Sequence, residues 1–175
     1  MKARKPVSRY LLIIISLFLI VTLPGCEKYD KDITGDVNFY LLDEYETDGI
    51  RGVIKDEGMV LSIEPIIYYG ELLEYDSANY SFKLEPDAAE RITDLFGSAF
   101  AVALEDEIIY TGYFWSAVSS AIVDWVVVDL VEVMVSNKMS VKLGYPYLFE
   151  GVTIPDNRND NRILSVFARD NKLKD

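Results

Sequence analysis

The chain has 175 residues, of which half are apolar and 26% are charged. This composition provides the core of one folded domain and excludes intrinsic disorder. There are 17 basic and 29 acidic residues, and all acids lie beyond residue 25, so residues 26–175 carry 13 bases against 29 acids and a net charge of −16. Nucleic-acid binding depends on basic side chains that neutralise phosphates, so we expect no nucleic-acid partner.

Histidine is absent, and cysteine occurs once, at Cys26. Without histidine there can be no Ser-His-Asp or Cys-His catalytic pair and no histidine-ligated zinc. A single cysteine forms neither an internal disulfide nor a cysteine-rich metal site. We therefore expect no cofactor and no metal site, assign no catalytic residue, and favour a role other than catalysis.

The first 25 residues are typical of a secretory signal peptide. Residues 1–9 are basic, residues 10–22 form an uncharged apolar run, and Leu23-Pro24-Gly25-Cys26 ends it. The alternative is a transmembrane anchor, but spanning the hydrocarbon core takes about 20 apolar residues. The run from Tyr10 to Gly25 is shorter than that.

Leu23-Pro24-Gly25-Cys26 resembles the lipobox of bacterial lipoproteins. The resemblance implies that a diacylglyceryl group is attached to the sulfur of Cys26, that the signal is cut before Cys26, and that the new amino group is acylated. Two or more acyl chains anchor a protein stably, since each buried CH₂ contributes about 0.8 kcal/mol. We therefore expect lipidation at Cys26, with the membrane as a partner through this lipid anchor. An unmodified thiol after an ordinary signal is the alternative.

An acidic, polar stretch follows the cysteine, and it predicts a flexible tether over residues 26–36, before a single domain over residues 37–175. Acids just after the cysteine also resemble the surface-export signal of lipoproteins in Bacteroidota-type bacteria. Glu27, by resemblance to lipoprotein sorting rules, favours the outer membrane. The predicted location is the cell envelope, at the outer membrane, on its periplasmic or its external side.

The first half of the domain contains short β-rich runs separated by turn residues. For residues 66–79 the pattern allows two alternatives, a short helical turn at residues 70–73 or a loop. Pro86 and the apolar spacing after it predict a helix at residues 86–96. Strands are predicted at residues 38–42, 59–63 and 80–84.

The second half begins with strands at residues 99–104 and 108–115 around an acidic hairpin. Further strands are predicted at residues 124–130, 131–135 and 139–143, and a capped amphipathic helix at residues 159–171. The predicted fold class is α+β, a largely antiparallel sheet with one mid-chain helix and one C-terminal helix packed on it.

Two family resemblances extend over this domain. Within residues 80–125, Ala88-Ala89-Glu90-Arg91-Ile92 and residues 100–109 resemble the periplasmic domain of the SecD subunit of the protein-export machinery, in which a strand, an acidic hairpin and a second strand follow a helix. This resemblance implies a fold but not the export function. The chain is also similar to small bacteroidete lipoproteins of unassigned function, which implies a fold and a membrane address without an activity. The matching segments are residues 110–115, 119–120, 124–125, 144–146 and 154–164.

The segment from Gly112 to Trp125 concentrates aromatic side chains, small hydroxyls and one acid. Such a mixture can form a ligand pocket or a partner surface, with aromatic walls and polar groups that orient the ligand. The alternative, favoured by the strand propensity of aromatics, is that the rings belong to the core and the serines cap a turn. The candidate residues are Tyr113, Trp115, Ser119, Ser120, Asp124 and Trp125.

Two other motifs give weaker indications of a functional site. The chain has no histidine, and no Ser-x-x-Lys spacing surrounds Ser119 or Ser120 to activate a hydroxyl. The run Asp156–Asn161 departs from the calcium-loop pattern at its third, sixth and twelfth positions, so helix capping explains it better.

Three roles stay open at this point. The first is a non-catalytic binding or accessory module with an envelope protein or a glycan as partner. The second is a histidine-free hydrolase or glycan-acting enzyme that uses two carboxylates. The third is a purely structural assembly subunit.

Overall fold

The computed structural model describes residues 29–30, 32–48 and 52–174, and the predicted signal peptide and Cys26 lie outside them. The described residues form nine strands, three α-helices and one 3-10 turn at Tyr69–Glu71. The strands are β1 (Val37–Glu44), β2 (Val60–Leu61), β3 (Leu72–Asp76), β4 (Ser81–Leu84), β5 (Ala99–Leu104), β6 (Glu107–Trp115), β7 (Val123–Asp129), β8 (Lys138–Tyr145) and β9 (Leu173–Lys174). The helices are α1 (Pro86–Ile92), α2 (Leu130–Ser136) and α3 (Asn161–Arg169).

All nine strands belong to one sheet in the order β2-β1-β5-β6-β7-β8-β4-β3-β9. The β6–β7 and β3–β9 pairs are parallel, and the other six neighbouring pairs are antiparallel. This confirms a mixed fold with a large, mostly antiparallel sheet. No helix in the described ranges is long and apolar enough to cross a membrane.

The number of helices differs from the prediction, because three are present among the described residues and two were expected. Residues 131–135 were predicted as a strand, and this was wrong, since they belong to α2. The Asp129 side chain caps α2 by accepting a hydrogen bond from the backbone N–H of Val131, and Asn137 ends the helix in the left-handed conformation. Leu130 and Val133, three residues apart, are the buried ones. Local capping and burial at helical spacing therefore override the strand propensity of the valines.

Other predicted elements lie close to their observed positions. The hairpin of β5 and β6 has Glu105 in a left-handed conformation at its turn. The helix predicted from residue 86 forms as α1 with Pro86 in its first turn, and α3 is capped by the Asp160 side chain. The open stretch at residues 66–79 contains a 3-10 turn followed by strand β3, which was not predicted.

Both faces of the sheet are covered. On β5, Phe100 and Val102 belong to the main core, whereas Ala99 and Ala101 belong to a second cluster on the other face. The main core packs against α3, and the second cluster is covered by the segment that contains Ile54. The middle of the sheet is buried on both sides, so β5 appears in the sequence as a continuous apolar run rather than an alternating one.

An aromatic cluster joins α3 to the sheet. The Phe82 ring stacks on Tyr75 with centroids 4.4 Å apart, and it lies 5.2 Å from the ring of Phe39 and 5.7 Å from that of Phe167. All four side chains are fully buried. The Tyr75 hydroxyl donates a hydrogen bond to the Arg158 carbonyl oxygen at 2.7 Å, so the buried phenol is satisfied just before α3.

The described part of the predicted tether contacts α3. The Asp30 backbone N–H donates to the Ser165 hydroxyl at 2.9 Å, and Ile33 packs against the main core. Arg169 donates to the Gly35 carbonyl oxygen at 2.8 Å and also forms an ion pair with Asp36. These contacts connect the residues that follow Cys26 to the C-terminal helix.

We expect Gly112→Ala to lower the free energy of unfolding by about 1–3 kcal/mol, as overpacking of a core does. A Cβ atom at Gly112 would meet the Phe100 ring at 2.6 Å and the Val126 carbonyl oxygen at 2.9 Å, and Phe100 is fully buried. Urea unfolding measures the difference. The control is Gly70→Ala, where a Cβ meets nothing within 4 Å and a small stabilisation of up to about 1 kcal/mol is expected. Equal destabilisation by both substitutions would contradict the close approach.

We expect stability to fall as the pH drops from about 4 to about 2, in part through Asp170. Hydrogen bonds from Arg169, aided by one from Tyr69, lower the pKa of Asp170 from 3.8 to about 2 in the folded chain. A carboxyl whose folded pKa is depressed contributes stability above its unfolded pKa and loses it as the pH falls through the folded pKa. Urea midpoints at several pH values should therefore decline less steeply in Asp170→Asn than in the parent chain. The control is Asp43→Asn, an exposed carboxyl with no ion pair in the described ranges, and a slope as shallow as that of Asp170→Asn would refute the assignment.

Candidate functional site

The connection between β6 and β7 shapes the region that contains the predicted site. These neighbouring strands are parallel and pair at only three positions, from Tyr113 opposite Val127 to Trp115 opposite Asp129. The chain must therefore return along the sheet between Trp115 and Val123, within residues 116–122. Parallel strands usually need a crossover of about a dozen residues or more. This short crossover is held against the domain by Tyr145, whose hydroxyl donates to the carbonyl oxygens of Ala117 and Ser119.

A groove of about 240 Å³ lies where the crossover, the residues after α1 and the start of α2 meet. Three of its apolar side chains are largely exposed: Val118 at 85%, Met134 at 66% and Phe96 at 54%. Apolar side chains gathered on a surface in this way are typical of interaction sites. The groove is lined by Thr93, Phe96, Ser116, Val118, Ser119, Leu130, Val131 and Met134.

Asp129 connects two walls of this groove. Its Oδ1 atom accepts hydrogen bonds from the backbone N–H of Val131 at 3.1 Å and from that of Ala117 at 3.2 Å. The Lys142 ammonium lies 3.4 Å from its Oδ2 atom. One side chain therefore caps α2 and also fixes the beginning of the crossover, which positions Val118 opposite Met134.

Trp115 lies behind the groove. Its ring contacts Phe96, with centroids 5.0 Å apart, and Tyr145, with centroids 6.4 Å apart. Its indole Nε1 atom is buried and has no hydrogen-bond partner within the described ranges. Trp115 thus supports the groove wall from the second cluster of the core rather than lining the groove itself.

A separate cleft of about 570 Å³ opens beyond the paired part of β6 and β7 and includes Trp125. The Trp125 indole N–H donates to the Thr111 hydroxyl at 3.0 Å, which bridges the two strands. Asp106 and Glu107 of the β5–β6 hairpin contribute negative charge to this cleft. It combines an aromatic wall with carboxylates and an amide, that of Asn157.

The six predicted residues are therefore not gathered in one place. Ser119 lines the groove, Trp115 supports it and Trp125 lines the cleft. Tyr113 is buried in the second core cluster, where burial raises the pKa of its hydroxyl to about 12. Asp124 is also buried, while Ser120 is exposed on the crossover.

Most residues of the groove were not predicted from the sequence. Phe96 falls at the end of the helix predicted over residues 86–96, but α1 ends at Ile92 and the Phe96 ring is half exposed. Met134 was assigned to a strand and lies on the outer face of α2. One available signal was Asp129, an N-cap residue directly before a run with Leu and Val three positions apart.

No group of three or more Cys, Asp or Glu side chains among the described residues could hold a metal ion. The Ser119 hydroxyl accepts a hydrogen bond from the Ala121 backbone N–H at 3.2 Å, which is the geometry of a turn cap. The groove can hold an apolar group between Phe96, Val118 and Met134.

Comparison of the chain with protein-family models, with curated proteins and with solved structures finds no match. The function is therefore inferred from the geometry of the groove and from the sequence around Cys26.

Proposed function

We propose that this protein is a lipid-anchored binding module of the cell envelope, held at the outer membrane through acyl chains on Cys26. The support for the anchor is the run Leu23-Pro24-Gly25-Cys26 after a basic and then apolar segment, with the only cysteine of the chain at that position. The acidic body would be repelled by anionic lipid headgroups, so membrane attachment has to come from the acyl chains.

The groove between α2 and the crossover is the observation that favours binding. Its volume of about 240 Å³ is below the range of about 300–1,000 Å³ that holds a drug-sized ligand. It suits one or two apolar side chains of a protein partner. Met134 on one wall adapts to different shapes because its side chain is unbranched and flexible.

Charge narrows the class of partner. Residues 26–175 carry a net charge of −16, so a basic partner is attracted and an acidic one is repelled. We therefore propose that the occupant is an apolar segment flanked by Lys or Arg residues in another envelope protein.

The carboxylates favour this function over hydrolysis. A general acid needs a raised pKa, usually from burial or from a second carboxylate. The six described carboxyl groups with displaced pKa values are all displaced downward, because hydrogen bonds and neighbouring positive charges together outweigh burial, which for Glu71 is the largest single effect. They are Glu46, Glu71, Asp76, Asp156, Asp160 and Asp170.

The cleft at Trp125 supports a second candidate, the binding of a glycan. Its volume of about 570 Å³ lies within the range for small ligands, and an aromatic wall beside polar groups suits a hydroxylated ring. The two candidates differ in the surface on which binding depends, which is the groove for a protein partner and the cleft for a glycan.

We expect Cys26→Ala to abolish incorporation of a fatty-acid probe in a bacterial host and to release the protein from the membrane fraction. The thiol that carries the diacylglyceryl group would be absent, so neither the chains on sulfur nor the acylated amino group of residue 26 would form, and no acyl chain would anchor the protein. Gel fluorescence and fractionation measure both effects. The matched control is Ser16→Ala in the apolar run, which should be labelled like the parent chain. Unchanged labelling of Cys26→Ala would rule out the proposed anchor.

We expect a photo-crosslinking residue at position 118 to yield one stoichiometric adduct with an envelope protein in intact cells. The same residue at position 63, where Ile63 is 95% exposed away from the groove, should yield none. With the identified partner purified, Met134→Asp should weaken binding about tenfold or more, since an apolar contact is replaced by a charge of the body's own sign. Added salt should also weaken binding to the parent chain.

The controls separate the candidates. Val135→Asp places the same charge one residue further along α2, at a side chain that is 82% exposed and does not line the groove, and it should leave affinity within about twofold. An adduct that is insensitive to Met134→Asp would overturn the groove as the binding site. Binding lost instead on substitution of Trp125 would favour the glycan candidate.

A further inference from the structure

A third pocket lies on the strands β8, β4, β3 and β9, and Ser136 at the end of α2 also lines it. Its volume is about 240 Å³, and its charged lining residues are Lys83, Lys138, Lys174, Glu74 and Asp76. Three ammonium groups against two carboxylates give this pocket a net positive charge. It is a local exception in a chain whose net charge is −12.

Lys83 and Lys138 are directly opposite each other on the antiparallel strands β4 and β8. Like charges at paired positions of two strands destabilise a sheet. Neither lysine forms an ion pair within the described ranges. An anion between the two ammonium groups would remove this repulsion.

The Ser81 hydroxyl supplies an independent observation. Ser81 lines the same pocket and is only 2% exposed, yet its Oγ atom has no hydrogen-bond partner within the described ranges. A buried hydroxyl without a partner is costly, and such groups are uncommon in folded proteins. A ligand oxygen that reached Ser81 would accept its proton and satisfy it.

The two carboxylates of the pocket are already engaged or opposed by a base. Asp76 accepts hydrogen bonds from the Asn79 side chain and forms an ion pair with Lys174 at 2.9 Å. Glu74 is paired across the strands with Lys83. With Lys174 paired to Asp76 and Glu74 opposite Lys83, the uncompensated positive charge of the pocket is that of Lys138, which lies opposite Lys83. Ser81, two residues before Lys83 on β4, lines the same pocket.

We propose that this pocket binds a phosphate group, held by the ammonium groups of Lys83 and Lys138 and by the Ser81 hydroxyl. Ammonium and hydroxyl donors are the groups that hold phosphate oxygens in charge-assisted hydrogen bonds. The phosphate belongs either to a free phosphorylated metabolite or to the headgroup of a membrane lipid, and the chemistry of recognition is the same. This inference is independent of the groove and of its protein partner.

The test titrates sodium phosphate into the full-length protein in detergent at constant ionic strength, and ³¹P line broadening and the unfolding temperature follow binding. We expect saturable binding in the millimolar range. The double variant Lys83→Gln/Lys138→Gln should weaken it about tenfold or more, because charge-assisted hydrogen bonds are lost. The matched control is Lys55→Gln/Lys142→Gln, which removes the same charge from two lysines that form ion pairs elsewhere, and it should bind like the parent chain.

Ser81→Ala separates binding from folding. It removes an unsatisfied buried hydroxyl, so stability without ligand should stay equal or rise, while phosphate affinity should fall several-fold. Absence of saturable binding to the parent chain, or equal weakening in both double variants, would overturn the proposal.

Vesicles distinguish the source of the phosphate. If vesicles that contain phosphatidic acid displace free phosphate and vesicles of phosphatidylcholine alone do not, the site binds a lipid headgroup. If neither displaces it while free phosphate still saturates the site, the ligand is a free phosphorylated compound.

Discussion

The parallel pairing of β6 with β7 is the constraint on which both the groove and the cleft depend. Antiparallel neighbours can be joined by a tight turn, but parallel neighbours require the chain to return along the sheet. Here it returns within residues 116–122. Gly112, next to the paired positions, leaves room for the Phe100 ring and the Val126 carbonyl oxygen. At the end where β6 and β7 pair, the crossover forms one wall of the groove. At the end where the two strands do not pair, the cleft at Trp125 opens.

Asp129 holds two walls of the groove together. It lies at the last paired position of β7, caps α2 and accepts a hydrogen bond from the crossover. A rigid capped helix and a short crossover are thus held together by a single carboxylate, and the apolar side chains between them have no covering element among those described. At the other end of the domain, Arg169 and Ser165 hold the residues that follow Cys26 against α3. Attachment to a membrane and recognition of a partner would therefore use different parts of the domain.

The elements that were predicted well are those whose signals are local. The hairpin at residues 99–115 combines two β-rich runs with an acidic turn, and α1 begins at a proline, so a few neighbouring residues decide each of them. Residues 131–135 were misassigned because their valines favour a strand, while the deciding contacts were the Asp129 cap and the burial of Leu130 and Val133. The strand β3 was missed because Glu74 and Asp76 interrupt its apolar pattern and because one of its two partners, β9, lies near the C-terminus and is distant in sequence.

By itself the sequence determined the mixed fold class, the hairpin, the two amphipathic helices and the acidic charge of the domain. It also carries the motif on which the proposed anchor rests. These features could be predicted because composition, spacing and caps act over a few residues. Only the tertiary structure decided that Trp115 lies behind the groove while Trp125 lines the cleft, that Phe96, Val118 and Met134 line one groove, and that Lys83 is opposite Lys138. These juxtapositions depend on strand order and register, which arise from burial on two faces of one sheet and leave no mark on neighbouring residues.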